Sequence, residues 1–277
     1  MIVQAVRSAL FYAMFLGQTI ILALFLGLWA LAVPKGQRAP AAMWAIGRYW
    51  GRSNQAFLRY IVGIKSEVEG GENIPRGGCI VASKHQSDWD IISLIPFMDL
   101  PAFIAKRQLM DIPFFGWAAR ALNTISIDRS LGGEAIPKML EDAGDKLAHG
   151  SEVIIFPEGT RKAPLADPDY RFGVTRMYLA LNVPVVPVAV NSGLFWGRNS
   201  LVLWPGTARA RILPAIPPGL SQDEFQRRLA DTIESATNDL IVEAYRAGLS
   251  RPIPPILRQK LENLAATASS AQLLHID

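Results

Sequence analysis

Ser83-Lys84-His85-Gln86-Ser87-Asp88-Trp89-Asp90 is the stretch of this chain best suited to moving a proton. An anion that accepts the N–H of one imidazole nitrogen fixes the tautomer and raises the basicity of the other nitrogen. His85 and Asp90 are five positions apart, about 140° on a regular helix, so two helical residues at this spacing could not share a face. They meet if His85 lies in a turn and Asp90 in the first turn of the helix that follows. Ser87 suits the N-cap of that helix, with Asp90 at its third position, where the dipole favours a carboxylate. The spacing alone is weak, because an arbitrary His-x4-Asp is more often a capping aspartate beside a surface histidine.

A second cluster strengthens it. Phe156-Pro157-Glu158-Gly159-Thr160-Arg161 also follows an apolar run, and its turn chemistry suits backbone N–H groups and an arginine fork presented to a phosphate. Ile127-Asp128-Arg129 and Lys106-Arg107 follow two further runs of the same kind. Taken singly, Lys106, Arg129 and Arg161 read as solvated or salt-bridged cations; together they describe an anion site beside a general base.

These groups share one rim only if the runs before them are strands of one sheet. Candidate strands are Ile64–Val68, Cys79–Ala82, Ala102–Ala105, Thr124–Ile127, Val153–Phe156, Val185–Val190 and Ala208–Leu213. Several are almost continuously apolar, as in strands covered on both faces, and the stretches between have helical character. Ile91–Phe97, Ile136–Leu147, Val174–Leu181 and Ser221–Gly248 read as helices, the last opened by a Ser221/Glu224 capping box. The pattern is α/β, with a largely parallel central sheet flanked by helices and ligands at the carboxyl ends of its strands.

The 277 residues favour one large domain, or one domain plus an appendage, over two full domains, and half of them are hydrophobic with 19% charged, which excludes disorder. A single cysteine excludes a disulfide framework, and three scattered histidines form no cluster for a transition metal, so no metal or cofactor is expected. The net charge of +4 attracts acidic surfaces only weakly, and nothing points to nucleic acid.

Ser8–Val33 is free of charge for 26 positions, about 39 Å as a helix, enough to cross the ~30 Å hydrocarbon core with tilt. Gln18 and Thr19 interrupt it and Gly17 and Gly27 loosen it, which leaves a hairpin dipping into one leaflet equally open. Ala30-Leu31-Ala32 has a small-x-small cleavage pattern, but the run is far longer than a signal core. Lys35, Arg38, Arg48, Arg52 and Arg59 follow it, against Arg7 before it, so the body is expected on the cytoplasmic side, in a bacterium at the inner membrane. Trp44, Tyr49, Trp50, Phe57 and Tyr60 among these cations suit the headgroup layer. The expected division is residues 1–62 as membrane-anchoring and interfacial helices, 63–250 as the catalytic domain and 251–277 as a tail that either packs as another helix or frays.

From Ile64 to Leu213 the chain resembles the 1-acyl-sn-glycerol-3-phosphate acyltransferases of the membrane glycerolipid acyltransferase superfamily. KHQSDWD is similar to that family's His-x4-Asp block, SIDR to its second, FPEGTR to its third and VPVVPVAV to its fourth, in the family's order. The resemblance implies a glycerol-3-phosphate acyltransferase-like fold, with His85 as general base and Asp90 as its orienting partner. It also implies that Arg129, Glu158, Gly159 and Arg161, with Lys106, belong to the acceptor-phosphate site. The implied reaction moves an acyl chain from acyl-CoA or acyl carrier protein to the sn-2 hydroxyl of lysophosphatidic acid, with membrane lipids as surroundings. Another lysolipid, such as lyso-ornithine lipid or a larger lysophospholipid, is the alternative acceptor. No covalent acyl-enzyme is expected, since Cys79 falls in a buried strand and no Gly-x-Ser-x-Gly elbow occurs. Lys84 stands where asparagine is common, Ser126 where phenylalanine is usual, and Arg171-Phe172-Gly173 lacks one lysine of the family's pattern, so acceptor identity is the least determined feature.

Overall fold

The computed structural model describes residues 1–33 and 40–273. Lys35 and Arg38, and the last four residues of the tail, lie outside the described residues. Two long helices open the chain, α1 (Ile2–Ala32) and α2 (Pro40–Phe57), and a short π-helical turn, Leu58–Val62, leads into the body. There β1 (Ile64–Glu69), β2 (Cys79–Ser83), α3 (Trp89–Leu94), β3 (Ala102–Lys106), α4 (Phe115–Ala121), β4 (Ile125–Ile127), α5 (Ala135–Ala148) and β5 (Glu152–Ile155) follow in turn. The chain continues through α6 (Gly173–Leu181), β6 (Val185–Val190), β7 (Gly206–Ile212), α7 (Gln222–Arg246) and α8 (Pro255–Leu273).

The strands form one 7-stranded sheet in the order β1-β7-β6-β2-β5-β3-β4. β6, β2, β5, β3 and β4 run parallel, as the near-continuous apolar runs suggested. β7 runs antiparallel to β6, and β1 pairs parallel with β7, so this end of the sheet is reversed. Every residue of β2, β5 and β6 is buried, because both faces are covered. Cys79, Val81 and Ile154 pack on one side with α1, α3 and α8, while Ile80, Ala82, Val153 and Ile155 pack on the other with α5, α6 and α7. At the exposed edge β1 alternates instead, and Glu67 and Glu69 pair with Arg209 and Arg211 of β7 across the ladder.

α1 is one unbroken helix rather than a hairpin, and Gln18 and Thr19 do not weaken it. They form a polar seam with α2: Gln18 Nε2 donates to Ser53 Oγ at 2.8 Å and Trp50 Nε1 donates to Thr19 Oγ1 at 2.9 Å. Gly27 lets α4 approach, since a Cβ there would stand 3.2 Å from that of Trp117. At its start, Gln4 Nε2 donates to the carbonyls of Val62 and Leu203, Tyr12 donates to Ser200 O at 2.6 Å, and Phe11 meets Trp196 edge-on at 5.3 Å. The helix is therefore docked on the body from its first turns to its last, with Val3, Val6, Leu10, Ile21, Phe25 and Leu28 outward.

The aromatics expected in the headgroup layer divide. Trp44 is buried and Trp50 and Phe57 pack on the core, whereas Tyr49 and Tyr60 are exposed. α8 packs Leu257, Leu261 and Leu264 onto the core, so the described part of the tail is a docked helix. The Ser221 capping box is present as read.

Candidate active site

β2 ends at Ser83, and the next residue, Lys84, continues the ladder through its N–H to Val188 O. His85 then leaves the sheet in the turn that feeds α3. The helix opens one residue later than expected, with Asp88 and not Ser87 as N-cap and Asp90 as its second residue. Ser87 Oγ still accepts the N–H of Trp89 at 3.1 Å. Trp89 fixes the entry angle: its ring is fully buried and its Nε1 donates to Ser66 Oγ at 2.8 Å.

This folds Asp90 back under the histidine. Asp90 Oδ2 accepts the backbone N–H of Gln86 at 2.7 Å and of Ser87 at 2.9 Å, and faces His85 Nδ1 at 2.9 Å. Its other oxygen, Oδ1, accepts from Ser192 Oγ at 2.5 Å. Asp90 is 0% exposed, whereas the His85 side chain keeps 13% of its surface. Because a carboxylate only accepts, this geometry assigns the proton to Nδ1 and leaves the Nε2 lone pair as the basic position.

The Phe156–Arg161 segment holds His85 from the other side. Phe156 stacks on the imidazole with centroids 3.9 Å apart and planes at 19°. The His85 N–H donates to Glu158 Oε2 at 3.2 Å, and its carbonyl accepts from the N–H of Lys162 at 2.8 Å. Gly159 turns the chain with φ +66°, a conformation side chains rarely adopt.

Glu158 is 2% exposed and turns inward, behind His85. There it lies 2.9 Å from Lys84 Nζ, which is itself 2% exposed and also reaches Glu234 of α7 at 2.6 Å. Glu234 accepts in turn from the Tyr170 hydroxyl at 2.7 Å. Burial raises the Glu158 carboxyl above its ordinary range, and the Lys84 charge opposes that rise. Burial, reinforced by Glu234, pushes the Tyr170 phenol far above its ordinary value, so it stays a donor. Lys84 is thus the centre of a buried charge cluster beneath the turn that carries His85.

Arg161 does face the rim, where its Nη1 donates to Asp88 Oδ2 at 2.6 Å. Lys106 is exposed at the end of β3, opposite Ile127 of β4. Arg129 opens a 3₁₀ turn, Arg129–Glu134, capped by Asp128, whose Oδ1 accepts from Ser130 N; the Arg129 side chain lies outside the described residues. Asp128 sits below its ordinary carboxylate range, chiefly through the hydrogen bonds from Ser130. Ser126, where the resemblance expected phenylalanine, is exposed on the edge strand. Among the described residues no group of three or more His, Cys, Asp and Glu side chains could hold a metal ion.

Sequence reasoning missed Ser192, Glu234, Tyr170, the stacking of Phe156 and the pairing role of Asp88. Only Ser192 left a signal, as the second residue past the apolar strand Val185–Val190.

A turn-borne His-Asp pair thus stands at the carboxyl edge of a mostly parallel sheet, with an arginine on the same rim. The profile of the Acyltransferase family matches residues 65–191. The 1-acyl-sn-glycerol-3-phosphate acyltransferase of Pseudomonas aeruginosa is 34% identical over 254 residues, 92% of this chain and 94% of that one. The human 1-acyl-sn-glycerol-3-phosphate acyltransferase alpha is 32% identical over 182 residues, 64% of this chain and 63% of that one. A crystal structure of the 1-acyl-sn-glycerophosphate acyltransferase PlsC from Thermotoga maritima shares the fold, with TM-score 0.70 at 24% identity over 85% of this chain and 95% of that one. The chain belongs to the 1-acyl-sn-glycerol-3-phosphate acyltransferase family.

Proposed function

We propose that this protein transfers a fatty acyl chain from an acyl thioester, carried by coenzyme A or acyl carrier protein, to the sn-2 hydroxyl of lysophosphatidic acid. The observation that carries the reading is the His85–Asp90 pair, 2.9 Å apart, with the carboxylate buried and the imidazole reaching the surface. His85 Nε2 takes the hydroxyl proton as the acceptor oxygen attacks the thioester carbonyl carbon. The tetrahedral intermediate collapses with loss of the C–S bond, and the proton passes from His85 to the departing thiolate. Asp90 holds the ring and stabilises its cation, and no acyl-enzyme forms.

Arg161, Lys106 and Arg129 are the cations proposed for the acceptor phosphate, with Gly159 shaping the turn beside it. Glu158 serves the site by fixing the backbone of His85. For location we propose that α1 lies along the lipid surface with its outward apolar face immersed, a reading supported by its contacts with the rest of the chain at Gln4, Tyr12, Thr19 and Gly27. The body then works on the cytoplasmic face, in a bacterium at the inner membrane.

A second reading, the same transfer to lyso-ornithine lipid or a larger-headed lysophospholipid, draws on Asp88, a carboxylate that shares the rim with Arg161. Both are tested by incubating detergent-solubilised protein with radiolabelled acyl-CoA or acyl carrier protein and a panel of lysolipids. Phosphatidic acid is the expected product, and His85→Ala lowers its formation by roughly 10²–10⁴-fold. An active enzyme that ignores lysophosphatidic acid keeps the mechanism and replaces the acceptor; full activity in His85→Ala removes the mechanism.

A further inference from the structure

The carboxylate torsion of an aspartate is soft and roughly two-fold, so an orienting aspartate needs donors on both oxygens to hold one setting. In Asp90 the donors to Oδ2 are all local, from His85, Gln86 and Ser87 of the same turn. Oδ1 is served from 102 residues away, by the hydroxyl of Ser192 at 2.5 Å, and both residues are 0% exposed. Ser192 therefore ties the carboxylate to the turn after β6, whereas its other partners belong to the turn that carries it.

The turn that carries Ser192 is itself clamped. Asn191 Nδ2 donates to Leu240 O of α7 at 3.2 Å, and its Oδ1 accepts from Arg209 N of β7 at 2.7 Å. Gly193 N donates to Gln86 Oε1 at 3.0 Å, and Arg251 Nη1 donates to the carbonyls of Gly193 and Leu194, each at 3.2 Å. A side chain at position 193 would meet Gln86 and Pro164 at 3.0 Å, so the close approach depends on glycine. Strand, helix and tail thus converge on the neighbours of the residue that faces Oδ1.

We infer that Ser192 is a positioning residue for the reaction, acting through Asp90 on His85; this rests on the proposed general-base reading. Without its hydroxyl, Oδ1 is buried without that donor and the carboxylate is held through Oδ2 alone, which loosens the set of the His85 ring. The loss falls on the chemical step, because Ser192 acts through a buried carboxylate rather than on either substrate.

The test is steady-state kinetics of the full-length detergent-solubilised enzyme with lysophosphatidic acid and acyl-CoA. Ser192→Ala is expected to lower kcat roughly ten- to a hundredfold, the worth of a hydrogen bond to a charged group, with both KM values within about twofold. Added to Asp90→Asn, Ser192→Ala is expected to cost less than about twofold more, because the carboxylate it positions is already gone. Ser192→Cys, which keeps the shape with a weaker donor, gives an intermediate kcat and carries the same comparison if the alanine variant does not fold. A folded Ser192→Ala enzyme with wild-type kcat, or a loss that persists in full beside Asp90→Asn, overturns the inference. A wild type that acylates no lysolipid overturns the proposed reaction instead.

Discussion

Arg161 Nη1 lies 2.6 Å from Asp88 Oδ2, so the arginine that follows β5 is held by the residue that caps α3. The carboxylate is 45% exposed, and one nitrogen of the guanidinium is engaged. A phosphate brought to this arginine meets Asp88 as a like-charged competitor for the same fork.

Asp88→Asn is therefore expected to lower the KM for lysophosphatidic acid by about three- to fivefold, as for a partly exposed ion pair, with kcat within twofold of wild type. The difference should narrow in high salt. A KM that rises instead would make Asp88 an aligning partner of Arg161 rather than its competitor.

Lys84→Met leaves the buried Glu158 carboxylate without its cation and close to Glu234. The expected loss is ~3 kcal/mol of stability, discounted because Glu234 is partly solvated. A chain of this size would show it as a fall in Tm of about 6–12 °C. Thermal unfolding in detergent checks this, and an unchanged Tm would mean that water reaches the cluster.

Cys79 is fully buried in β2, and its thiol is pushed up to about 12 from an ordinary 9.0, chiefly by burial and then by Glu152. Native protein at pH 8 should resist iodoacetamide, and labelling should appear at the same denaturant concentration as global unfolding. Folding that raises an acid's pKa favours its protonated form. This contribution is complete below pH 9 and is lost as pH climbs towards 12, so stability should decline over that window, with Tyr170 acting in the same direction. Rapid labelling at pH 8 under native conditions would show that the sheet opens locally at β2.

A tag placed before Ile2 should be accessible from the same side of sealed vesicles as the catalytic body. Protection of that tag while the body is cut by protease would mean that α1 crosses the bilayer.

The core strands were legible in sequence to within about two residues, because β2, β5 and β6 are apolar on both faces and their runs are bounded by turn chemistry. Their order was not, since parallel neighbours such as β2 and β6 are joined through remote connections, and nothing local marks the reversal of β7. α4 was missed because Phe115–Ala121 is short, follows Pro113 and is framed by large apolar residues without a cap. In the site, His85 and Asp90 were readable from spacing and turn chemistry. Ser192 and Glu234 were not, being brought in over 102 and 150 positions. The inward turn of Glu158 was not readable because residue type does not tell which way a carboxylate turns; there it meets Lys84, itself a departure from the family's pattern.

The docking of α1 has a consequence for the order in which the chain is made. Gln4 binds a carbonyl 199 residues further along, and Tyr12 one 188 residues further. A ribosome adding about 5–20 residues per second releases the start of the helix roughly 10–40 s before these distant partners exist. On the proposed placement of α1, the lipid surface that covers its outward face would also cover Phe11 and its apolar neighbours during that interval. A chain cut short of Ser200 would keep the seam of α1 with α2 and lose the bonds of Gln4 to Leu203 and of Tyr12 to Ser200.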